Sequence, residues 1–330
     1  MRHLGTTPTF RGPTGEILPD SIAEISPIQL GGFPQWVMIR GENVHNPILI
    51  LLHGGPGFPE MRLFRTFNAP LEKLFTVVYW EQRGTDKSFS RRMPKSSLTV
   101  EQHLTDLDEL VDHVRGRFGR QKVALYGHSW GSLLGVLYAA RHPEKVSVYI
   151  GTGQIGNWPA SEQMSYEYTL AEAGRRNDRK ALAELGALGP TPHSYWRMVR
   201  QRKWLTRYAG VLRGMSPWKF FRITCSGPES SLFDIPNILQ GMILTPKVMW
   251  DEISRINLEM LAPELKMPVF FLIGRHDHVV PPQASQAYFE KLVAPVKHFV
   301  WFEESGHEPP AEEPDKFHQI MAERVRPWAA

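Results

Sequence analysis

Gly127-His128-Ser129-Trp130-Gly131 stands directly between Val123–Tyr126, which has strand character, and Leu133–Ala140, a run of small and apolar residues that reads as a helix ended by Pro143. A serine between a strand and a helix sits on a tight, strained turn, and glycine on either side lets the two elements approach because it has no Cβ. In that setting the pattern G-x-S-x-G projects the serine hydroxyl from the top of a sheet as a nucleophile. Ser129 is therefore the candidate nucleophile.

Upstream of this turn, Ile22–Leu30 and Gln35–Arg40 read as strands. Pro47–His53 contains Ile48-Leu49-Ile50-Leu51-Leu52, apolar without alternation, which is the pattern of a strand buried on both faces. Thr76–Trp80 is a further strand. Val100–Phe118 reads as a helix with Leu104, Leu107, Val111, Val114 and Phe118 on one face, and Thr99 with Gln102 is expected to form a capping box at its start. Val146–Gly151 closes the first half, and the alternation of strand and helix implies a parallel sheet.

From about Gln154 to Leu265 the sequence turns helical, aromatic and irregular, holding five of the ten tryptophans: Trp158, Trp196, Trp204, Trp218 and Trp250. Strand character returns at Val269–Gly274 and Lys297–Phe302, with a helical segment at Ala284–Leu292 between them and a last helix from about Pro314. The expected fold class is α/β, with a mostly parallel central sheet flanked by helices. Residues 1–153 and 266–330 are expected to form the core, and residues 154–265 an inserted, mostly helical cap domain.

Basic and acidic residues nearly balance, 38 against 34 for a formal net charge of +4, and both are spread along the chain. That distribution favours solubility over binding to a polyanion, so no nucleic-acid partner is expected. No stretch approaches the roughly 18 apolar residues that a membrane span needs, and no membrane partner is expected either. The single cysteine, Cys225, excludes an intramolecular disulfide, and the opening Met-Arg-His-Leu-Gly-Thr-Thr-Pro lacks the apolar run of a signal peptide. A reducing, cytoplasmic setting is the expectation.

A hydroxyl is a poor nucleophile near neutral pH, so Ser129 needs a base within hydrogen-bond reach and a third group to orient that base. In sheets that carry such a turn, acid and histidine follow later in the chain, acid first. Gly274-Arg275-His276-Asp277 follows one strand and Ser305-Gly306-His307 follows the next, so Asp277 and His307 lie in loops at the carboxyl ends of strands. Among thirteen histidines, position selects His307; His276 and His278 flank the acid as supporting or exposed residues, and His53 and His128 read as structural residues or supporting neighbours of the nucleophile. Glu303 and Glu304 are the substitute acids. Attack on a carbonyl develops an oxyanion, and the two backbone N–H groups expected to hold it are those of Trp130, after the nucleophile, and Gly55, in His53-Gly54-Gly55-Pro56-Gly57. That loop lacks the Gly-Lys-Ser/Thr of a phosphate cradle, and no paired spacing of ligands points to a metal. No cofactor is expected.

In order along the chain, His53–Gly57, Glu81-Gln82-Arg83-Gly84, Gly127–Ser132, Gly274–Asp277 and Gly306-His307 resemble the proline iminopeptidase group of α/β-hydrolases. The resemblance implies the α/β-hydrolase fold and cofactor-free hydrolysis through an acyl-enzyme at Ser129 beneath a helical cap. Members of the group read Asp-Gln-Arg-Gly-x-Gly-x-Ser and Gly-Gly-Ser-Trp-Gly, where this chain has Glu81, Asp86 and His128. The group's true iminopeptidases hold the peptide's free amino terminus with glutamates in cap motifs. Those motifs are not found between Gln154 and Leu265, although Glu162, Glu167, Glu172, Glu184, Glu229, Glu252 and Glu259 lie there. Only the core residues carry over.

In the same segment, Arg197, Arg200, Arg202, Lys203 and Arg207 form a basic run without an acid, read as a solvated helix face or an anchor for an acidic substrate group. The expected activity is cleavage of an ester, lactone or amide of a small substrate, with release of an N-terminal residue from a short peptide as the nearest alternative. Carbon–carbon hydrolysis or perhydrolysis would use the same three residues. A non-catalytic ligand-binding homologue is the alternative of another class. Dehalogenase and epoxide hydrolase chemistry would need an aspartate at position 129.

Overall fold

The computed structural model describes residues 6–192, 194–229 and 231–329. Its centre is an eight-stranded sheet formed by β1 (Ile22–Leu30), β2 (Phe33–Gly41), β3 (Ile48–Leu52), β4 (Thr76–Trp80), β5 (Val123–His128), β6 (Val146–Thr152), β7 (Val269–Gly274) and β8 (Lys297–Phe302), in the order β1-β2-β4-β3-β5-β6-β7-β8. β2 pairs antiparallel with both neighbours, and every pairing from β4 to β8 is parallel. Because parallel strands need crossovers that cover both faces, β3 to β7 are buried at every position, while β1 at the edge is half exposed.

The helices of the first half are α1 (Met61–Asn68), α2 (Val100–Phe118) and α3 (Trp130–Arg141). Between β6 and β7 come α4 (Trp158–Arg175), α5 (Arg179–Gly186), α6 (Tyr195–Arg207), α7 (Pro217–Cys225), α8 (Ile235–Ile253) and α9 (Leu258–Leu261). The remaining three are α10 (Pro282–Lys291), α11 (Pro309–Glu312) and α12 (Pro314–Ile320), which continues as a π-helical turn over Met321–Val325. The period of two along β3 divides the core: Ile48, Ile50 and Leu52 pack with α2, α3 and α10, and Leu49 and Leu51 pack with α1 and α12. Tyr166, Leu185 and Trp204 build a separate small core within the inserted helices. No helix among the described residues is long and apolar enough to cross a membrane.

α2 begins as expected, with the Thr99 hydroxyl accepting the Gln102 N–H at 3.1 Å, and ends on Gly119 in the left-handed region. The reciprocal half of the expected capping box is not made. Gln102 turns its amide to Asp106 Oδ1, where a carboxylate already held by Gln35 and Arg83 has an acceptor to fill. The free N–H of Val100 is taken by Glu252 from α8 at 3.2 Å, which ties the insertion to the core.

The decisive approach is between α3 and the end of β3. A Cβ on Gly131 would lie 1.9 Å from the Leu52 carbonyl oxygen, and one on Gly127 would lie 2.5 Å from that of Gly131. Both obstacles are backbone and cannot rotate away. Gly131→Ala is therefore expected to destabilise the fold by on the order of 3 kcal/mol or more, read as a fall in the denaturant midpoint. An unchanged midpoint would contradict this packing.

Candidate active site

The turn at Ser129 is strained as its glycines imply: Ser129 has φ 52 and ψ −118, a region that costs a residue with a side chain about 1 to 3 kcal/mol. The surroundings hold it there. Its N–H donates to the Thr152 carbonyl at 3.0 Å, and its own carbonyl accepts the Ser132 hydroxyl at 2.6 Å. Trp130 opens α3, so its backbone N–H is one of the first-turn donors that the helix leaves free, while its indole is buried and donates to Gln82 Oε1 at 2.9 Å.

At the ends of β7 and β8 a second close approach joins two loops, since a Cβ on Gly274 would lie 1.9 Å from the Gly306 carbonyl oxygen. His307 Nδ1 donates to Asp277 Oδ2 at 2.7 Å, and the other carboxylate oxygen accepts the N–H groups of Val279 and Val280 at 2.8 and 2.9 Å. With Nδ1 committed to a carboxylate, the neutral ring keeps its lone pair on Nε2. Ser129, Gly55 and His307 line one cavity of about 480 Å³, walled further by Tyr195, Met198 and Phe220. A smaller space of about 100 Å³ also opens on Ser129 and Gly55 and is lined by Trp158, Glu162, Arg202 and Trp250.

The other histidines near the turn do different work. His53 is buried and accepts the Gln82 N–H at Nε2; burial pushes it down to about 4, so it stays neutral. Gln82 thereby links His53 to Trp130, and Arg83 pairs with the buried carboxylate of Asp106 at 2.8 Å, which accounts for two residues of the Glu81–Gly84 stretch. His278 stacks on Tyr168 with ring centroids 3.5 Å apart. Glu303 is held by Arg275 at the surface. His128 lies between Glu60 and Glu308; burial alone would lower it, but the two carboxylates prevail and raise it to about 10.

Burial pushes Glu308 up to about 8 and Glu312 up to about 7. Glu60, His128 and Glu308 are the set among the described residues whose ligand atoms come within 4.8 Å of one another. Nδ1 faces the Glu60 carboxylate and Nε2 the carbonyl of His307, both acceptors, so the ring has no lone pair to offer a metal. Sequence reading missed Glu60 and Glu308; the one signal was a histidine where the resembled motif has glycine.

Two residues of the basic run on α6 have acid partners supplied by other helices: Arg202 pairs with Glu162, and Lys203 with Glu184 at 2.8 Å, while Arg197 and Arg200 are exposed. Glu172, Glu229 and Glu259 pair with Arg175, Arg65 and Lys291, and Glu252 caps α2. Glu162 is the member of that set placed beside Ser129.

Residues 47–314 match the family model of the alpha/beta hydrolase fold. The probable aminopeptidase YbaC of Bacillus subtilis (strain 168) is 31% identical over 313 residues, which cover 93% of this chain and 97% of that protein. A proline iminopeptidase of Clostridioides difficile (strain 630) is 24% identical over 88% of this chain and 94% of its own length. A solved proline iminopeptidase-related protein from Thermus thermophilus superimposes with a TM-score of 0.67 over 93% of this chain and 99% of that one, at 18% identity, a likeness of fold alone.

The raised groups set a dependence of stability on pH. Folded His128, Glu308 and Glu312 hold protons up to about 10, 8 and 7, where the unfolded chain releases them near 6.5, 4.5 and 4.5. A proton bound more tightly by the folded state stabilises it at low pH and ceases to do so as pH rises through the folded value. The denaturant midpoint is thus expected to fall between pH 6 and pH 9.5, and a rise would contradict the assignment.

Proposed function

The chain belongs to the α/β-hydrolase family and is a hydrolase, and from that premise we propose that it is a serine hydrolase acting on a small substrate through an acyl-enzyme on Ser129. The observation that carries the reading is the His307–Asp277 hydrogen bond of 2.7 Å at a cavity that Ser129 shares. His307 Nε2 takes the hydroxyl proton as Ser129 Oγ attacks the carbonyl carbon. The oxyanion is held by the backbone N–H groups of Gly55 and Trp130. His307 then returns the proton to the leaving group, and the same nitrogen activates water to free the acid. Asp277 keeps the ring in the required tautomer and stabilises it while charged.

For the substrate, the amide bond at the amino end of a short peptide is the first choice, supported by the aminopeptidase and iminopeptidase relatives. Glu162 is the cap carboxylate placed beside Ser129. Its ion pair with Arg202 favours the second reading, because a carboxylate already neutralised is a poorer anchor for an ammonium group and suits an uncharged ester or lactone. In either case the helices between β6 and β7 act as a lid whose side chains select the substrate. The single cysteine, Cys225, suits a cytoplasmic enzyme.

Ser129→Ala is expected to lower turnover by on the order of a million-fold with the fold intact. A fluorophosphonate probe should modify wild-type Ser129, and full activity in the variant would overturn the mechanism. A rate comparison of alanine and proline p-nitroanilides with p-nitrophenyl esters separates the substrates: fast anilide cleavage supports the peptidase, and ester cleavage alone supports the second reading.

A further inference from the structure

His128 is 2% exposed, and both of its ring nitrogens are engaged. Nδ1 lies 2.8 Å from Glu60 Oε1, and Nε2 lies 2.9 Å from the backbone oxygen of His307. A carbonyl oxygen only accepts, so Nε2 carries a hydrogen. Glu60 Oε1 already accepts the Gly54 N–H at 3.0 Å, and a carboxylate so placed calls for a hydrogen on Nδ1 as well. A second carboxylate, Glu308, stands 3.8 Å from Nε2. A neutral imidazole, with one N–H, would leave one of these buried acceptors without its donor.

The result is a chain of contacts through three separate loops: the amide of Gly54 next to Gly55, the turn that carries Ser129, and the peptide group of His307. Behind it the rings of His128 and His307 lie 4.7 Å apart, and Gly153 leaves them the room, since a Cβ there would come 2.7 Å from His307 Cε1.

We propose that His128 is a positioning residue: a doubly hydrogen-bonded imidazolium that fixes the backbone of His307, and through Glu60 the Gly54–Gly55 loop, relative to the Ser129 hydroxyl. The inference rests on the serine-hydrolase reading above and deepens it. His128 touches no reacting atom. It acts through the His307 carbonyl, which sets where the ring of the base can stand, and through Glu60, which sets where the oxyanion donor points. The titratable groups that face it are Glu60, Glu308, the rings of His53 and His307, and, behind Glu308, Glu312 and Asp277.

The test compares the wild type, His128→Gln and Glu60→Gln as full-length protein labelled with nitrogen-15 at histidine. Glutamine at position 128 is uncharged and serves at most one of the two acceptors; glutamine at position 60 keeps the shape and removes the anion. In wild type, nuclear magnetic resonance should show both His128 ring nitrogens protonated from pH 6 to pH 9, and Glu60→Gln should lose one of those protons. With a p-nitrophenyl ester as substrate, His128→Gln should lower kcat and the rate of fluorophosphonate labelling by roughly tenfold to a hundredfold while KM changes by less than about twofold.

An unprotonated ring nitrogen in wild type at pH 7, or a folded His128→Gln enzyme with wild-type kcat and labelling rate, would overturn the proposal. So would losses that merely track a fallen melting temperature. If His128→Gln does not fold, the wild-type spectrum and the kcat of Glu60→Gln decide. Absence of any adduct on Ser129 in wild type would instead overturn the serine-hydrolase reading, and the nitrogen spectrum tells that failure apart.

Discussion

No side chain fits between the first turn of α3 and the end of β3, where Gly131 lies against the carbonyls of Leu52 and His53. The rest of the site follows from that contact. A helix pressed so close to the sheet leaves no room for a relaxed connection, so Ser129 is held at φ 52 with its hydroxyl beyond the strand ends. The loop that starts at His53 and carries Gly55 must then run beside it. Gly274 against Gly306 imposes the same intimacy on the loops of Asp277 and His307. Backbone contact is stiffer than side-chain contact, so these loops are held rigidly relative to one another.

Charge inside the molecule does a related task at longer range. The inserted helices are tied to the core by Arg65 with Glu229 at 2.7 Å and Lys87 with Asp234 at 2.6 Å, and within the core Arg62 pairs with Asp86 at 2.8 Å. Buried pairs such as Arg62 with Asp86 add little net stability, because the desolvation of both ions offsets their attraction, but either partner alone would be costly. Asp86 also stands at φ 42 where the resembled motif has glycine, and the ion pair holds its side chain in place there. Close by, Glu81 is buried, and burial together with Asp86 pushes its carboxyl well above the usual range. Two of these ties hold the segment between β6 and β7 against the core.

Much of this was legible in the residues. The uninterrupted apolar runs of β3 and β7 and the glycines around Ser129 follow from rules that act within a few residues, and those strands lie where the patterns put them. The order of the loops was likewise enough to pair Asp277 with His307, which are hydrogen-bonded. What escaped were partnerships between distant segments. Nothing near Gln102 announces that Asp106 will claim its amide, because Gln35 and Arg83 arrive from other elements. Nothing beside Glu60 or Glu308 in the sequence shows that the fold closes them on His128, and the run from Arg197 to Arg207 has no acid within it because the partners of Arg202 and Lys203, Glu162 and Glu184, sit on neighbouring helices. The insertion was least readable, since its helices answer to each other and to the cavity rather than to a repeating sheet.

The central claim to test is a covalent step at Ser129 with His307 as its base. Stopped-flow hydrolysis of p-nitrophenyl acetate, with the substrate in excess over enzyme concentrated enough for one equivalent of product to be seen, reads that step directly. A burst of p-nitrophenolate equal to one equivalent of active sites, followed by slower turnover, is the predicted result. A burst retained by His307→Ala at the wild-type rate, or recovery of acetyl enzyme on a residue other than Ser129, would contradict it.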